Sequence, residues 1–431
     1  MKSYRLEELS PEGLEELCRR NPVADPERME TCRTIFDDVS RLGDEAVGKY
    51  TRRFDGVALP DHRVSRQEFT SAAEGISNLA VKALERAAQN IQTFHAAQQV
   101  FEGPVKVEPG VRCWRENRAI DSVGLYVPGG NAVLPSTVLM LGIPARLAGC
   151  REICLCVPPR KDGRISAEVL VAAQITGISK VFKIGGAQAI AALALGTETV
   201  PKVDKIVGPG NRWVQTAKLL AVLEGVAIDM VAGPTEVLVV ADDSASPELI
   251  ASDLISQAEH GGDSRAILVS TSKEILEEVS QKVESQVQDL PRRDFAVEAL
   301  AGSFFIQVPS MEEAFEFVNR YAPEHLILHL EGPEKWVEKV QSAGSVFLGP
   351  WSPEVAGDYA SGTNHTLPTS GLARAFSGVS LDTFVKKITF QELTQKGLRE
   401  LAPTLETLAA LEGLEGHGRA VRARLKQPTD S

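Results

Sequence analysis

From Asp121 onward the chain repeats one unit: a short β-rich run, a turn marked by glycine or proline, and an apolar helical pattern. It is written as "SVGLYVPGG", "EICLCVPP", "KVFKIGGAQAIAALALG" and "KIVGPGNRWVQTAKLLAVL". Strand, glycine turn, helix is the signature of parallel α/β units, so this recurrence constrains the fold class more tightly than any single motif. A second series starts at "EVLVVADDSASPELIASDLISQAEHGG" and continues through "RAILVST", "GSFFIQVPS" and "GSVFLG", with Ser310 and Glu313 marking a helix start. Two α/β regions are therefore expected. At 431 residues there is chain enough for both and for smaller appendages.

The flanks read as helical. Ser10-Pro11 is an N-cap followed by proline at the first helical position, and Ser65 with Glu68 forms a capping box ahead of "AVKALERAAQNIQTFHAA". The glycine-rich passage from Gly357 to Gly378 reads as a long functional loop, and "TFQELTQKGLRELAPTLETLAALEGLEGHGRAVRARL" as a helical tail.

Charge narrows the partners. Acidic residues outnumber basic ones 58 to 46, a net charge of -12, which opposes attraction to nucleic acid or an anionic membrane and favours a small-molecule partner. The N-terminus lacks an apolar run behind a basic start, and no stretch of about 18 apolar residues occurs, so no membrane span is expected and the cytoplasm is the default location. The six cysteines show no paired CxxC spacing, as a reducing compartment allows; Cys154 and Cys156 alternate along an expected strand and read as small buried hydrophobes.

Three turns, "YVPGG" (126 to 130), "GGAQ" (185 to 188) and "GPGN" (208 to 211), fall between an expected strand and a helix. Glycine there lets backbone approach a ligand and exposes N–H groups to phosphate, which points to a dinucleotide; none matches GxGxxG, and tight turning alone would also explain them. Among the seven histidines, His62 and His95 read as ordinary, and His329 in "LILHL" as a hydrogen-bonded core residue. Gln257 and His260 lie three apart at the end of a helix begun by Ser246-Pro247, where they could clamp one ion or simply face the helix dipole. Asp358 with either His365 or His417 would complete a mixed nitrogen and oxygen site suited to zinc, manganese or cobalt, and spacing does not choose between the two histidines. Glu324-His325 follows Pro323, which ends the preceding helix. The residue types suit proton transfer, yet neighbours on an extended segment point to opposite sides, so a polar corner is the competing reading.

Taken in order, "KIGGAQAIAALALGT", "VGPGNRWVQTAK", "AGPTEVLVVAD", "LISQAEHGGDS", "RYAPEHL", "GSVFLGPWSPEVAGDYASGTNHTLPT" and "EGLEGH" closely resemble the histidinol dehydrogenase family over almost the whole chain. The resemblance implies a zinc ion, one per subunit, on Gln257, His260, Asp358 and His417, preferring His417 over His365. It implies contacts to L-histidinol from Thr235, Gln257, His260, His325, Asp358, Glu412 and His417, and NAD contacts from Tyr126, Gln188 and Asn211. Glu324 and His325 become the catalytic pair: His325 takes the hydroxyl proton as hydride leaves for NAD, and Glu324 then activates water at histidinal. The fold it implies is two incomplete Rossmann-like domains with parallel sheets plus small helical N- and C-terminal extensions. The expected division is 1–24 as N-terminal extension, 25–125 with 237–380 as the first large domain, 126–236 as the NAD domain, and 381–431 as the tail. The family forms an intertwined homodimer in which the tail completes the neighbour's site.

Two positions depart from the family pattern. Thr235 stands where many members have serine, and Val231 where proline is common; neither removes a reactive group. The rival functions are oxidation of another polar alcohol on this scaffold, a zinc hydrolase that uses Glu324 without nicotinamide, and a silent scaffold protein. Retention of Glu412 and His417 argues against the first, and NAD reduction separates the second.

Overall fold

A computed structural model of the chain describes residues 1–20, 25–129 and 133–427. Gly130, the last residue of the first glycine turn, and residues 21–24 of the expected N-terminal extension lie outside the described residues.

The chain opens with β1 (Lys2–Arg5); β2 (Val105–Glu108) and β3 (Val111–Ala119) follow some hundred residues of helix. Then come β4 (Ser122–Tyr126), β5 (Glu152–Val157), β6 (Lys180–Lys183), β7 (Lys205–Val207) and β8 (Ala227–Ile228). The second series is β9 (Glu236–Ala241), β10 (Arg265–Ser270), β11 (Phe304–Gln307), β12 (His325–His329) and β13 (Ser345–Leu348), and β14 (Val385–Leu393) closes the set.

The first series forms a five-stranded parallel sheet in the order β6-β5-β4-β7-β8. The second forms a parallel sheet in the order β11-β10-β9-β12-β13, and β1 adds a sixth strand beside β11. Each series thus starts in the middle of its sheet, runs to one edge, returns and runs to the other. This is the doubly wound Rossmann order, and it leaves a topological switch point between β4 and β7 in one sheet and between β9 and β12 in the other. Burial on both faces explains the continuous apolar strands: every residue of β9 (EVLVVA) and of β12 (HLILH) is buried.

Helices cover both faces of each sheet, and their assignment differs from the sequence expectation. The helices Pro26–Leu42 and Asp44–Phe54 place Cys32, Ile35, Phe36, Val39 and Tyr50 in one cluster with Ile190, Val214 and Ala217 of the five-stranded sheet's helices. On its other face Ala87, Ala88 and Ile91 of the helix Asn78–Ala96 join the helices Pro135–Ala148 and Ala167–Thr176. Residues 26–96, expected with the first large domain, therefore supply cover for the five-stranded sheet. The six-stranded sheet is covered by the helices Pro247–Ala258, Lys273–Gln286 and Arg293–Ala301 on one face and by Met311–Tyr321 with the N-terminal helix Pro11–Cys18 on the other.

By compactness the chain divides into two units, 1–98 with 120–384 and 99–119 with 385–431. The smaller unit is an antiparallel sheet in the order β14-β3-β2 with the helices Gln395–Leu411 and Glu415–Leu425. The tail read as helical from Thr389 thus begins as a strand. β14 pairs with β3 along its full length and stacks Phe390 on Trp114 at 5.4 Å, a partnership that local periodicity cannot reveal. Among the described residues no helix is long and apolar enough to cross a membrane.

Candidate active site

Glu324 and His325 stand at the amino end of β12, one of the two switch-point strands of the six-stranded sheet. Ser310 caps the helix Met311–Tyr321, which ends at Ala322 in the left-handed region, φ 53°. The two side chains nonetheless come together, against the alternation expected of neighbours on an extended segment: His325 Nδ1 and Glu324 Oε2 lie 3.7 Å apart. The start of β9 holds both. Glu324 Oε2 accepts hydrogen bonds from Thr235 Oγ1 at 2.6 Å and from the Glu236 N–H at 2.9 Å. His325 Nδ1 faces the Glu236 carbonyl oxygen at 3.3 Å. The groups around Nδ1 are all acceptors, so Nδ1 carries a proton, and Nε2 is buried without a hydrogen-bond partner.

Beside the imidazole, the six-residue helix Glu354–Tyr359 presents two carboxylates one turn apart. Asp358, expected on a loop, belongs to this helix. Glu354 Oε1 lies 3.4 Å from His325 Nδ1, and Asp358 Oδ1 lies 3.6 Å from Nε2. His260 approaches Asp358 Oδ2 at 3.9 Å, and the ligand atoms of His260, Glu354 and Asp358 all lie within 4.8 Å of one another. The helix carrying Gln257 ends at Ala258, so His260 stands in the turn beyond it, not on the helix. Gln257 is fully buried with both amide atoms unpartnered. A buried amide oxygen left without a donor is costly unless a ligand takes it, and with an imidazole and a carboxylate it makes a donor set that suits zinc. His365, the alternative ligand, is committed elsewhere: Nδ1 donates to the Asp358 carbonyl at 2.7 Å and Nε2 meets Thr137 Oγ1 at 3.0 Å.

Burial raises the Glu324 carboxyl to about 7, against the opposing pull of His325 and the donors on Thr235 and Glu236. Burial works to lower His325, but the surrounding carboxylates, Glu354 first and then Glu324 and Asp358, outweigh it and hold the imidazole up at about 10. Burial pushes Glu354 upward as well. A glutamate raised to neutrality against an imidazole held up by carboxylates is an arrangement that can exchange protons once the surrounding negative charge is neutralised.

The three glycine turns converge on the five-stranded sheet. Tyr126 ends β4 and accepts the Gly186 N–H at 3.1 Å, tying the first turn to the second. Asn211 caps the helix Arg212–Leu223, its Oδ1 accepting from the N–H groups of Trp213 and Val214 at 3.0 and 3.2 Å. Gln188 is fully buried with both amide atoms unpartnered. All three line one cavity of about 1050 Å³, together with Pro128, Pro158 and Trp213. Its position at the carboxyl ends of the strands beside a switch point is where dinucleotides bind doubly wound sheets, and its size suits one.

The profile of the histidinol dehydrogenase family matches residues 18–425. The chain is 51% identical to histidinol dehydrogenase from Bacteroides thetaiotaomicron over 416 residues, covering 96% of this chain and 97% of that one. It is 51% identical over 429 residues to the chloroplastic histidinol dehydrogenase of Arabidopsis thaliana, covering 99% and 92%. The crystal structure of histidinol dehydrogenase from Elizabethkingia anophelis superposes with a TM-score of 0.96 at 49% identity, covering 99% of this chain and 98% of that one. The chain belongs to the histidinol dehydrogenase family.

Of the residues that the family resemblance singles out, Thr235, Glu324, His325, His260 and Asp358 meet around one imidazole, with Gln257 at the end of the adjoining helix. Tyr126, Gln188 and Asn211 share the large cavity. Glu412 and His417 are exposed on the smaller unit, at the end of the helix Gln395–Leu411 and on Glu415–Leu425. His329 is a core histidine, with Nε2 3.0 Å from Asp253 Oδ2. Two residues of the site had not been singled out. Glu236 contributes its peptide group, for which no side-chain signal exists. Glu354 had a signal, the second carboxylate four residues before Asp358 in "PEVAGDY" just after a helix-starting proline.

Proposed function

We propose that the protein is an NAD-linked, zinc-dependent dehydrogenase that oxidises L-histidinol to L-histidine by way of L-histidinal, a four-electron reaction and the last step of histidine biosynthesis. The reading rests chiefly on the double hold of the Glu236 peptide group, whose N–H takes Glu324 while its carbonyl fixes the tautomer of His325.

Gln257, His260, Asp358 and His417 would hold the zinc ion, which supplies orientation of the amino and imidazole groups of the substrate and, by its charge, favours neutral His325. Tyr126, Gln188 and Asn211 in the large cavity would hold NAD, which would supply the hydride acceptor. His325 Nε2 takes the hydroxyl proton as hydride leaves the alcohol carbon. Glu324, poised near neutrality, removes a proton from water as it adds to the aldehyde. A cavity of about 100 Å³ beside Glu324, lined by Thr235, Lys218, His365 and Thr366, has room for such a water. Once its first proton has passed to solvent and a second NAD has replaced the first, His325 serves again on the hydrate, whose loss of hydride gives the carboxylate. Glu412 and His417 reach the neighbouring subunit of a homodimer in this reading.

The test is the NADH formed per L-histidinol consumed by the zinc-loaded protein, run to completion. Two equivalents with L-histidine as product are expected. A single equivalent with released aldehyde would remove the water step from the site, and none at all would reject the dehydrogenase reading.

A further inference from the structure

The Glu236 peptide group can position both reactive side chains only if it is itself held in place. Its side chain is fully buried at the first position of β9, an expensive place for a carboxylate. Its Oε2 is taken by Arg20 Nε at 2.9 Å, from a segment 216 residues away, and by the Tyr321 hydroxyl at 3.3 Å. The Arg20 guanidinium also lies over the Tyr321 ring, 3.6 Å from its centroid, and donates through Nη1 to the Cys18 carbonyl at 2.7 Å. Tyr321 is the last residue of the helix that turns through Ala322 and Pro323 into Glu324.

We propose that Arg20 is a positioning residue for the Glu324–His325 pair, acting through Glu236 and Tyr321; the proposal rests on the reading of that pair as catalytic. One guanidinium grips both approaches to the pair: the strand start whose peptide group binds the two side chains, and the helix end from which they emerge. Lysine could not do the same, because the contact combines a directed Nε–H bond with stacking of a planar cation. A buried ion pair of this kind is a weak source of stability compared with apolar packing, and its attested use is to fix one arrangement among several. Here the arrangement fixed is the register of β9 against the start of β12, on which the tautomer of His325 depends.

The experiment follows the ¹⁵N imidazole signals of histidine-labelled protein, with His325 assigned by its loss in His325→Asn, alongside steady-state kinetics. In the zinc-loaded parent, at a pH where the imidazole is neutral, His325 is expected as a single Nδ1–H tautomer. In Arg20→Met the signal should become a mixture of tautomers and kcat should fall on the order of ten- to a hundredfold, with KM for the alcohol held within about twofold. The double variant Arg20→Gln with Glu236→Gln restores a neutral contact and should recover most of both readouts; no recovery in a folded double variant would reduce Arg20 to a stability role and overturn the proposal. A folded Arg20→Met with the parent's kcat and His325 signal would also overturn it. If Arg20→Met does not fold, Arg20→Lys carries the same readouts, with an intermediate loss expected and no change overturning. Full turnover by His325→Asn would instead defeat the catalytic reading, and the tautomer signal would still judge the role of Arg20.

Discussion

Glu354 stands closer to His325 Nδ1 than Glu324 does, 3.4 against 3.7 Å, and it leaves Oε2 without a partner. Its charge is the largest of the influences that raise His325. An imidazole accepting a proton at Nε2 becomes a cation, and a carboxylate facing Nδ1 stabilises that cation as it forms. Glu354→Gln keeps an acceptor of the same shape and removes the charge. It is expected to lower kcat for L-histidinol by roughly tenfold or more, with little change in KM, in steady-state kinetics run at matched zinc content. An unchanged kcat would make Glu354 a bystander. At this scale the side chains that meet around His325 were mostly among those the sequence singled out, because seven blocks of the chain match one family in order. What was not legible was the means of placing them: the kink at Ala322 and the Glu236 peptide group are backbone features, and no residue type announces them.

The recurrence of strand, glycine turn and helix predicts parallel sheets, and both sheets adopt the doubly wound order it allows. Of the glycine turns, the one at Gly208 carries the strictest backbone requirement. Its φ is 135°, and a Cβ placed there would sit 2.1 Å from the Tyr126 carbonyl oxygen, a backbone atom of the adjacent switch-point strand that cannot swing aside. Gly225, after the next helix, has φ 80° but open space where a methyl group would stand. Gly225→Ala should therefore cost about 1 to 2 kcal/mol from the left-handed backbone alone. Gly208→Ala should cost clearly more and weaken NAD binding, as read by thermal unfolding and by titration of NAD. Equal losses from the two would remove the close approach as the reason for glycine at 208. The sequence was less informative about which helix covers which sheet. The apolar stripe of Pro26–Leu42 says that it must pack, but not that its partner lies on the helices Gly186–Leu195 and Arg212–Leu223.

The residues of the proposed set fall on both units of the chain: Thr235, Gln257, His260, Glu324, His325 and Asp358 on the larger, Glu412 and His417 on the smaller. The smaller unit is itself assembled from two distant stretches, since β3 and β14 pair through Trp114 and Phe390 while some 270 residues separate them in the chain. If the tail serves the neighbouring subunit, a chain with His417→Ala and a chain with His260→Ala are each inactive alone but complementary. Their heterodimer has one site with every ligand intact and one with two ligands missing. Co-expressed in equal amounts, with half the dimers mixed, they should recover about a quarter of the parent activity. If His417 instead serves the site of its own chain, every site in every dimer lacks one ligand, and mixing recovers nothing. Activity of the mixture, compared with each variant alone at the same total concentration, therefore separates a site shared between subunits from one completed within a single chain.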